Sequence, residues 1–324
     1  MRDMSFLGVC YVYGNTFDVW SYEEKIDLED RDWETRWGSP RITQEQILQL
    51  KSMGFKTIKL PITWHEHFIK QDGKWIMQQW WIDRITEVVD WILDAGMYCI
   101  INTQHDADFI NDGIDDYIVE WFRELWRYLS IHFKDYSERL IFESMNEVGL
   151  IEWEGHEAKD AVNYMNKLFL QTVRETEKNN NRILLVEGHW ADIRTTRDLF
   201  EKYDDDNYAI AVHFYTPGSF TIPKGNLDFT KREMMNELCL IDDIRRIYDV
   251  DVVITECGCN MDGHDQSKVF SWYKKLFQYC QDNKVALSLW TNGDADEEII
   301  NRRTMTYLLK NVQMLIDSYN AEMG

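Results

Sequence analysis

Proline is scarce in this chain, with four in 324 residues, and no proline-, glycine- or serine-rich linker interrupts it. Since no low-complexity segment is present either, the sequence offers no domain boundary, and we expect residues 1–324 to form a single domain. The first residues, MRDMSFLGVCYVYG, lack the charged start and long apolar stretch of a signal peptide, and no apolar run approaches transmembrane length. We therefore expect a cytoplasmic protein, or a secreted one whose signal peptide has been removed.

The chain also has few basic residues: 35 Lys and Arg compared with 57 Asp and Glu, which gives a net charge of −22. Nucleic-acid binding requires clustered basic residues that displace counterions. The same negative field repels anionic membranes and anionic sugars. The composition thus argues against nucleic acid and membranes as partners and favours a neutral substrate. No sequence feature indicates a protein partner or a cofactor.

The spacing of the six cysteines resembles no disulfide framework, and the pair at Cys257 and Cys259 is not a zinc knuckle. We expect mostly buried, reduced thiols and a reducing or anaerobic setting. The six are Cys10, Cys99, Cys239, Cys257, Cys259 and Cys280.

A short apolar run followed by an amphipathic helix recurs eight times along the chain. Nearly continuous apolar runs are typical of strands buried on both faces of a parallel sheet. Because eight such units alternate and a GxGxxG turn is absent, the pattern predicts a (β/α)₈ barrel of the α/β class. The predicted strands are residues 6–12, 57–60, 98–102, 140–143, 183–186, 209–212, 252–255 and 286–290. The predicted helices are residues 44–53, 82–93, 117–132, 158–176, 193–203, 231–248, 266–281 and 304–319.

Polar side chains stand at or just after the carboxyl ends of most predicted strands, where barrel active sites form. Glu147 follows the fourth strand and Glu256 ends the seventh, so the two should face each other across the barrel mouth. Cleavage of a glycosidic bond needs such a pair: one carboxyl protonates the leaving oxygen and the other attacks the anomeric carbon. A separation of roughly 5 Å predicts retention of configuration. We expect Glu147 to be the general acid/base and Glu256 the nucleophile.

Further polar and aromatic residues at the strand ends are candidates for binding a sugar. Asn146 is placed to bond a sugar hydroxyl, and Tyr215 to donate to Glu256. Tryptophans suit the stacking of sugar rings, although packing in the core is the default for each of them. The candidate substrate-binding residues are Asn146, His213, Tyr215, Trp290, Lys59, Gln104, His105, Trp37 and Trp64, with Trp20, Trp153 and Trp190 near candidate cleft loops.

At these residues the chain resembles glycoside hydrolase family 5, in particular its endo-β-1,4-glucanases. The motifs run over nearly the whole chain: GNTFD (14–18), ETRWGSP (34–40), IKLPITWHEHF (58–68), INTQHD (101–106), FESMNEV (142–148), VHFYTP (212–217), VVITECG (252–258) and LWTNG (289–293). The resemblance implies a retaining endo-acting enzyme on a β-1,4-linked neutral glucan, with the family's roles on Asn146, Glu147, His213, Tyr215, Glu256 and Trp290.

Three positions depart from the family pattern. Lys59 stands where the family usually has Arg, Gln104 where it usually has His, and Val148 where Pro usually follows the acid/base. Lys offers a point contact where Arg offers a planar fork, so the nucleophile should be held less firmly and turnover on cello-oligosaccharides should be weak. A degenerate member that binds β-glucan with little hydrolysis is therefore the alternative function.

A metal-dependent hydrolase is a third interpretation, since His65 and His67, or His105, Asp106 and Asp108, resemble metal ligands. Zinc in such a site needs several convergent histidines with supporting carboxylates. Apart from His213, no further histidine stands at another strand end, so we predict no metal. The sequence does not choose between cellulose-type glucan, mixed-linkage glucan, xyloglucan and mannan.

Overall fold

The computed structural model describes residues 2–20, 32–111, 113–149, 155–222, 228–293 and 297–323. Eight parallel strands form a closed barrel in which each strand pairs with its neighbours in chain order and the last pairs with the first. This confirms the predicted (β/α)₈ barrel. The strands are β1 (Val9–Tyr13), β2 (Thr57–Leu60), β3 (Tyr98–Ile101), β4 (Leu140–Glu143), β5 (Leu184–Asp192), β6 (Tyr208–Phe214), β7 (Val252–Cys257) and β8 (Leu287–Thr291).

Helices follow the strands and cover the barrel. In α2 the residues at helical spacing, such as Ile82, Ile85 and Val89, are fully buried, which is why this segment is helical and lies against the sheet. Capping boxes begin two of the helices, at Thr43 and Thr230. The helices are α1 (Gln44–Ser52), α2 (Gln79–Asp94), α3 (Asp106–Asn111), α4 (Asp116–His132), α5 (Gly155–Arg174), α6 (Ile193–Leu199), α7 (Gly218–Thr221), α8 (Lys231–Tyr248), α9 (Gln266–Asn283) and α10 (Val312–Met323). None of them, within the described ranges, combines the length and apolar character that a membrane span requires.

Several predicted boundaries are wrong. Strand β5 extends to Asp192 and helix α6 ends at Leu199, whereas the predicted elements end at residues 186 and 203. The first strand begins at Val9, because Ser5–Leu7 forms a 3₁₀ turn below it. The last helix begins at Val312 and is preceded by a small antiparallel hairpin of Ile300–Asn301 and Thr306–Tyr307. The Asn301 side chain accepts hydrogen bonds from two backbone N–H groups just after it, which stabilises a turn where the sequence pattern predicts a helix.

The barrel interior divides into an apolar lower part and a polar upper part. Lys59 pairs with Ile100 across neighbouring strands, and Ile100 pairs with Ile141, so these side chains point to the same side of the sheet. Ile100 and Ile141 join Met4 and Leu7 in a separate buried cluster that fills the lower part. The buried Lys59 and Glu143 lie above this cluster, toward the carboxyl ends of their strands.

Arg302 closes the seam between the first and last strands. Its guanidinium is buried and donates to the backbone oxygens of Gly14 at 2.7 Å and Thr291 at 2.6 Å. It also donates to the Tyr11 hydroxyl at 3.1 Å and lies over the Tyr13 ring. One side chain from beyond the barrel thus satisfies carbonyls at the ends of both seam strands.

Five of the six cysteines are buried and Cys239 is exposed, which confirms the prediction of mostly buried thiols. Burial raises the pKa of the Cys10 thiol to about 12. At neutral pH this thiol is therefore neutral and unreactive.

Candidate active site

Glu256 lies near the end of β7 with its side chain only 5% exposed. The Lys59 Nζ lies 3.2 Å from its Oε1 and 2.7 Å from Oε2 of Glu143, and all three groups are buried. Burial opposes the charge on Lys59, but the two carboxylates outweigh it and raise the pKa of the amine above its usual range. Lys59 is therefore a charged ammonium group between two carboxylates.

Two uncharged side chains also contact Glu256, and Nδ1 of His213 lies 3.7 Å from its Oε2. The Gln104 amide donates to Oε1 at 3.3 Å, and the Tyr215 hydroxyl donates to Oε2 at 3.3 Å. Asn102 fixes the orientation of Gln104 by donating to its Oε1 at 2.7 Å. Burial favours the neutral acid, but His213 and Lys59 together with these hydrogen bonds lower the pKa of Glu256, so it is ionised.

Glu147 lies just beyond β4 in a backbone conformation that is rare for a side chain larger than glycine, with φ of 49°. Its side chain is 41% exposed to the cleft, and its Oε1 lies 2.6 Å from Nδ1 of His213. Burial alone would lower the pKa of His213, but the Glu256 and Glu147 carboxylates raise it to about 9. The protonated Nδ1 therefore donates to Glu147 at neutral pH.

The two glutamates and His213 come together in one cluster. One carboxylate oxygen of each glutamate and a ring nitrogen of His213 lie within 4.8 Å of one another. Residues of these types could hold a metal ion, but a protonated imidazole offers no lone pair on Nδ1 and Lys59 already supplies positive charge to Glu256.

His65 and His67, which the metal-dependent interpretation named, are not part of this cluster. His67 is buried and stacks on Trp81 with ring centroids 4.0 Å apart, and burial lowers its pKa to about 3. His65 bonds Asp106, whose carboxylate also accepts the backbone N–H of Trp64. The side chain of Asp108 lies outside the described part of the structure. The geometry thus gives these groups structural roles.

A cleft of about 420 Å³ lies above the carboxylates. The flat ring of Trp290 and the indole of Trp190 line it, which gives the cleft apolar faces beside its polar groups. Its lining is formed by Gln104, His105, Asn111, Asn146, Glu147, Trp190, Tyr215, Glu256, Trp290 and Glu297.

Four of the predicted substrate-binding residues are not among those that line the cleft. Trp64 is fully buried and its indole N–H donates to the backbone oxygen of Asn102 at 2.8 Å, so it is a core residue. Lys59 and His213 contact the carboxylates and are not among the residues that line the cleft. Trp37 lies beside the cleft, with its ring 5.6 Å from that of His105. Trp153 falls outside the described residues.

Sequence reasoning missed two buried glutamates beneath the cleft, Glu143 and Glu187. Each directly follows an apolar run, which is the same feature that singled out Glu256. Burial raises the pKa of Glu187 to about 8. Sequence reasoning also missed Asn111, which ends helix α3, and Glu297, because neither stands at the end of a strand.

A family model described as cellulase, glycosyl hydrolase family 5, matches residues 21–296. The chain belongs to this family. The chain is therefore a glycoside hydrolase. Endoglucanase A of Ruminococcus albus is 31% identical over 281 residues, which cover 80% of this chain and 76% of that protein. Endoglucanase A of Clostridium longisporum is 29% identical over 95% of this chain, but the chain spans only 63% of its length.

Solved structures of family 5 enzymes resemble the fold closely. A broad-specificity endoglucanase from Clostridium longisporum superposes with a TM-score of 0.89 at 26% identity, covering 99% of both chains. A xyloglucan-specific endo-β-1,4-glucanase from a metagenomic library, solved with cellotriose, gives a TM-score of 0.83 at 27% identity and covers 97% of this chain and 96% of the other.

In this family 5 chain the three departures from the usual motifs are all near the two glutamates. Lys59 and Gln104 contact the same oxygen of Glu256. Val148, in place of proline, has a backbone N–H that donates to the buried Glu187 carboxyl at 3.3 Å. Each of the three residues that depart from the family pattern therefore has a specific polar partner.

Proposed function

We propose that this chain is a retaining endo-β-1,4-glucanase, with Glu147 as general acid/base and Glu256 as nucleophile. The observation that carries the proposal is the carboxylate pair, whose oxygens approach within 4.8 Å at the floor of the cleft. Retaining enzymes hold their carboxyls roughly 5–5.5 Å apart, whereas inverting enzymes need about 6.5–9.5 Å to admit a water molecule.

In the first step, the ionised Glu256 attacks the anomeric carbon as the bond to the leaving oxygen breaks. The contacts with Lys59 and Gln104 hold the attacking carboxylate in place. Glu147, which faces the open cleft, delivers a proton to the leaving oxygen. The product of this step is a glycosyl ester on Glu256.

In the second step, Glu147 works as a base. Formation of the ester removes the negative charge of Glu256, so the ionised form of Glu147 is no longer opposed by a neighbouring carboxylate. Glu147 accepts a proton from a water molecule, whose oxygen attacks the anomeric carbon. The ester bond breaks, and the Glu256 carboxylate returns to its contacts with Lys59, Gln104 and Tyr215.

The substrate we propose is a neutral β-1,4-linked glucan. The net charge of −22 disfavours anionic polysaccharides, and the two tryptophans in the cleft suit the flat faces of glucose rings. A binding-only function has no support from the contacts, since Lys59 and Gln104 keep polar contact with Glu256.

The anomeric configuration of the first-formed product tests this proposal. Cellotetraose or a soluble mixed-linkage glucan is digested in an NMR tube, and we expect the β-anomer first, followed by slow mutarotation. The α-anomer would overturn the retaining mechanism. Binding seen by calorimetry without any release of reducing ends would select the binding-only alternative. Glu256→Gln serves as the inactive control.

A further inference from the structure

Glu187 lies within β5 directly beneath the loop that carries Glu147, and its side chain is fully buried. Its Oε1 accepts the backbone N–H of Val148 at 3.3 Å, while no described group bonds Oε2. A proline after Glu147 has no N–H to donate. The residue that departs from the family pattern thus supplies the donor for a buried carboxyl.

The loop around Glu147 is tied to the end of β5 at further points. The backbone N–H of Trp190 donates to the Val148 oxygen at 3.0 Å, and Nε2 of His189 lies 2.7 Å from the Gly149 oxygen. Gly149 also lets the Trp190 indole lie against the loop, because an added Cβ would come within 1.7 Å of that ring. These contacts hold a loop whose Glu147 adopts an unfavourable φ.

The anchoring strand is itself irregular at this place. The pairing of β5 with β6 shifts register between Glu187 and Asp192, and Trp190 and Ala191 both have positive φ. Asn166 donates to the backbone oxygen of Glu187 at 2.7 Å and so fixes the start of the bulge. Bulges beside active sites commonly serve to aim a side chain.

We propose that Glu187 is a positioning residue for Glu147, acting through the Val148 peptide. The proposal rests on the acid/base role proposed above for Glu147. The hydrogen bond fixes the peptide that joins Glu147 to Val148, and with it the direction in which the Glu147 carboxyl points into the cleft. Burial raises the pKa of Glu187 to about 8, so the carboxyl is neutral at pH 7 and adds no repulsion to the pair above it.

The leaving group of the substrate separates this role from a merely structural one. Departure of the sugar leaving group of a cello-oligosaccharide needs protonation by Glu147, whereas 2,4-dinitrophenolate leaves without an acid. We expect Glu187→Leu to lower kcat on cellotetraose by about tenfold or more, with KM little changed, because acid catalysis contributes at least about that much. Glycosylation by 2,4-dinitrophenyl β-cellobioside, followed as the burst of phenolate, should fall by less than about threefold. Glu187→Gln keeps the acceptor and should retain most of the activity.

A double-mutant cycle with Val148 tests the route of the effect. In the Val148→Pro background the N–H is absent, so adding Glu187→Leu should change kcat by less than about twofold. Val148→Ala is the matched control, since it keeps the N–H and should preserve the sensitivity to Glu187→Leu. Equal losses on both substrates, or an unchanged loss in the Val148→Pro background, would overturn the inference. An unmodified chain without hydrolysis of either substrate would instead reject the proposed function.

Discussion

Glu256 is held inside strand β7 with 5% of its side chain exposed, and a buried ammonium, an amide and a phenol contact its two oxygens. Glu147 follows β4 in a loop, is 41% exposed, and accepts one side-chain hydrogen bond within the described part of the chain, from His213. The two groups nevertheless approach within 4.8 Å.

The difference matches the role proposed for each group. A nucleophile must stay ionised and aligned, which burial between fixed donors achieves. An acid/base must gain and lose a proton in each cycle, which requires access to solvent and leaving group. In this chain, side chains hold Glu256 in place, whereas Glu147 gains access to solvent from a backbone loop that is tied to β5.

Removing either carboxyl is expected to give the largest effect and to separate the two roles. Glu256→Gln should lower kcat by about 10⁴-fold or more on every substrate, because no ester can form. Glu147→Gln should lose about 10²–10⁴-fold on cellotetraose but keep the phenolate burst with 2,4-dinitrophenyl β-cellobioside. Equal losses of kcat for the two variants on 2,4-dinitrophenyl β-cellobioside would contradict the different roles proposed for the two glutamates. Circular dichroism checks that both variants fold.

Azide offers a stereochemical check on the same assignment. Added azide should restore turnover to Glu256→Gly with inverted product, because the anion occupies the vacated nucleophile position. Glu147→Gly with azide should give the product of retained configuration. A retained product from Glu256→Gly and an inverted product from Glu147→Gly would mean that Glu147 is the nucleophile and Glu256 the acid/base.

Lys59 should matter more than any other neighbour of Glu256. Lys59→Met leaves Glu143 and Glu256 buried without their ammonium partner, so we expect a loss of about 3–5 kcal/mol in the free energy of unfolding and about 100-fold in kcat. Urea denaturation and steady-state kinetics measure both. Lys70→Met is the matched control, since Lys70 pairs with Glu120 at the surface and should contribute less than about 1 kcal/mol. Similar losses in both variants would contradict the proposed role of burial.

Restoring the usual family residues tests whether the nucleophile side is degraded or adapted. The sequence pattern alone predicts that Lys59→Arg with Gln104→His raises the rate. The contacts favour the opposite outcome, because Lys59 fits between two carboxylates with no exposed surface and Asn102 already orients Gln104. The larger Arg would overpack this site and displace the nucleophile, so we expect kcat on cellotetraose to fall by roughly tenfold. A faster double variant would show a degraded site.

The contacts of His213 with Glu147 and Glu256 predict a pH dependence of stability. The pKa of His213 is raised to about 9 from a usual 6.5, so the stabilisation is complete below pH 6.5 and is lost as pH rises through 9. The thermal midpoint should fall over this window more steeply in the unmodified chain than in His213→Asn. Parallel curves for the two would mean that the imidazole is not protonated in the folded state.

Among these variants, Glu187→Gln should give the smallest effect, and we expect that effect on thermal stability. The pKa of Glu187 is raised to about 8 by burial, so its contribution is greatest below the usual 4.5 and declines as pH rises towards 8. Glu187→Gln removes that decline, and its thermal midpoint should exceed that of the unmodified chain by about 2 °C or more at pH 8. At pH 4.5 the two midpoints should agree. A gap that stays constant with pH would contradict a buried neutral carboxyl.

The eight strand–helix units could be predicted from sequence because buried parallel strands leave continuous apolar runs. The role of Glu187 could not be predicted because the apolar run of the fifth strand ends at Val186, whereas the strand continues through a bulge to Asp192. The last helix was placed too early because helical periodicity does not register the turn that Asn301 forms with its own backbone. Trp64 shows that position after a strand does not reveal which way a side chain points.

The closure of the barrel by Arg302 has a consequence for biosynthesis. Strand β1 emerges first from the ribosome, yet one of its two partners, β8, and the arginine that satisfies its carbonyls are made some 280 residues later. Val9 pairs with Leu287, so the edge of β1 stays open during most of translation. Pairing across such a sequence distance is slow, and open edges invite association with other chains. The barrel is therefore expected to close only after β8 has left the ribosome.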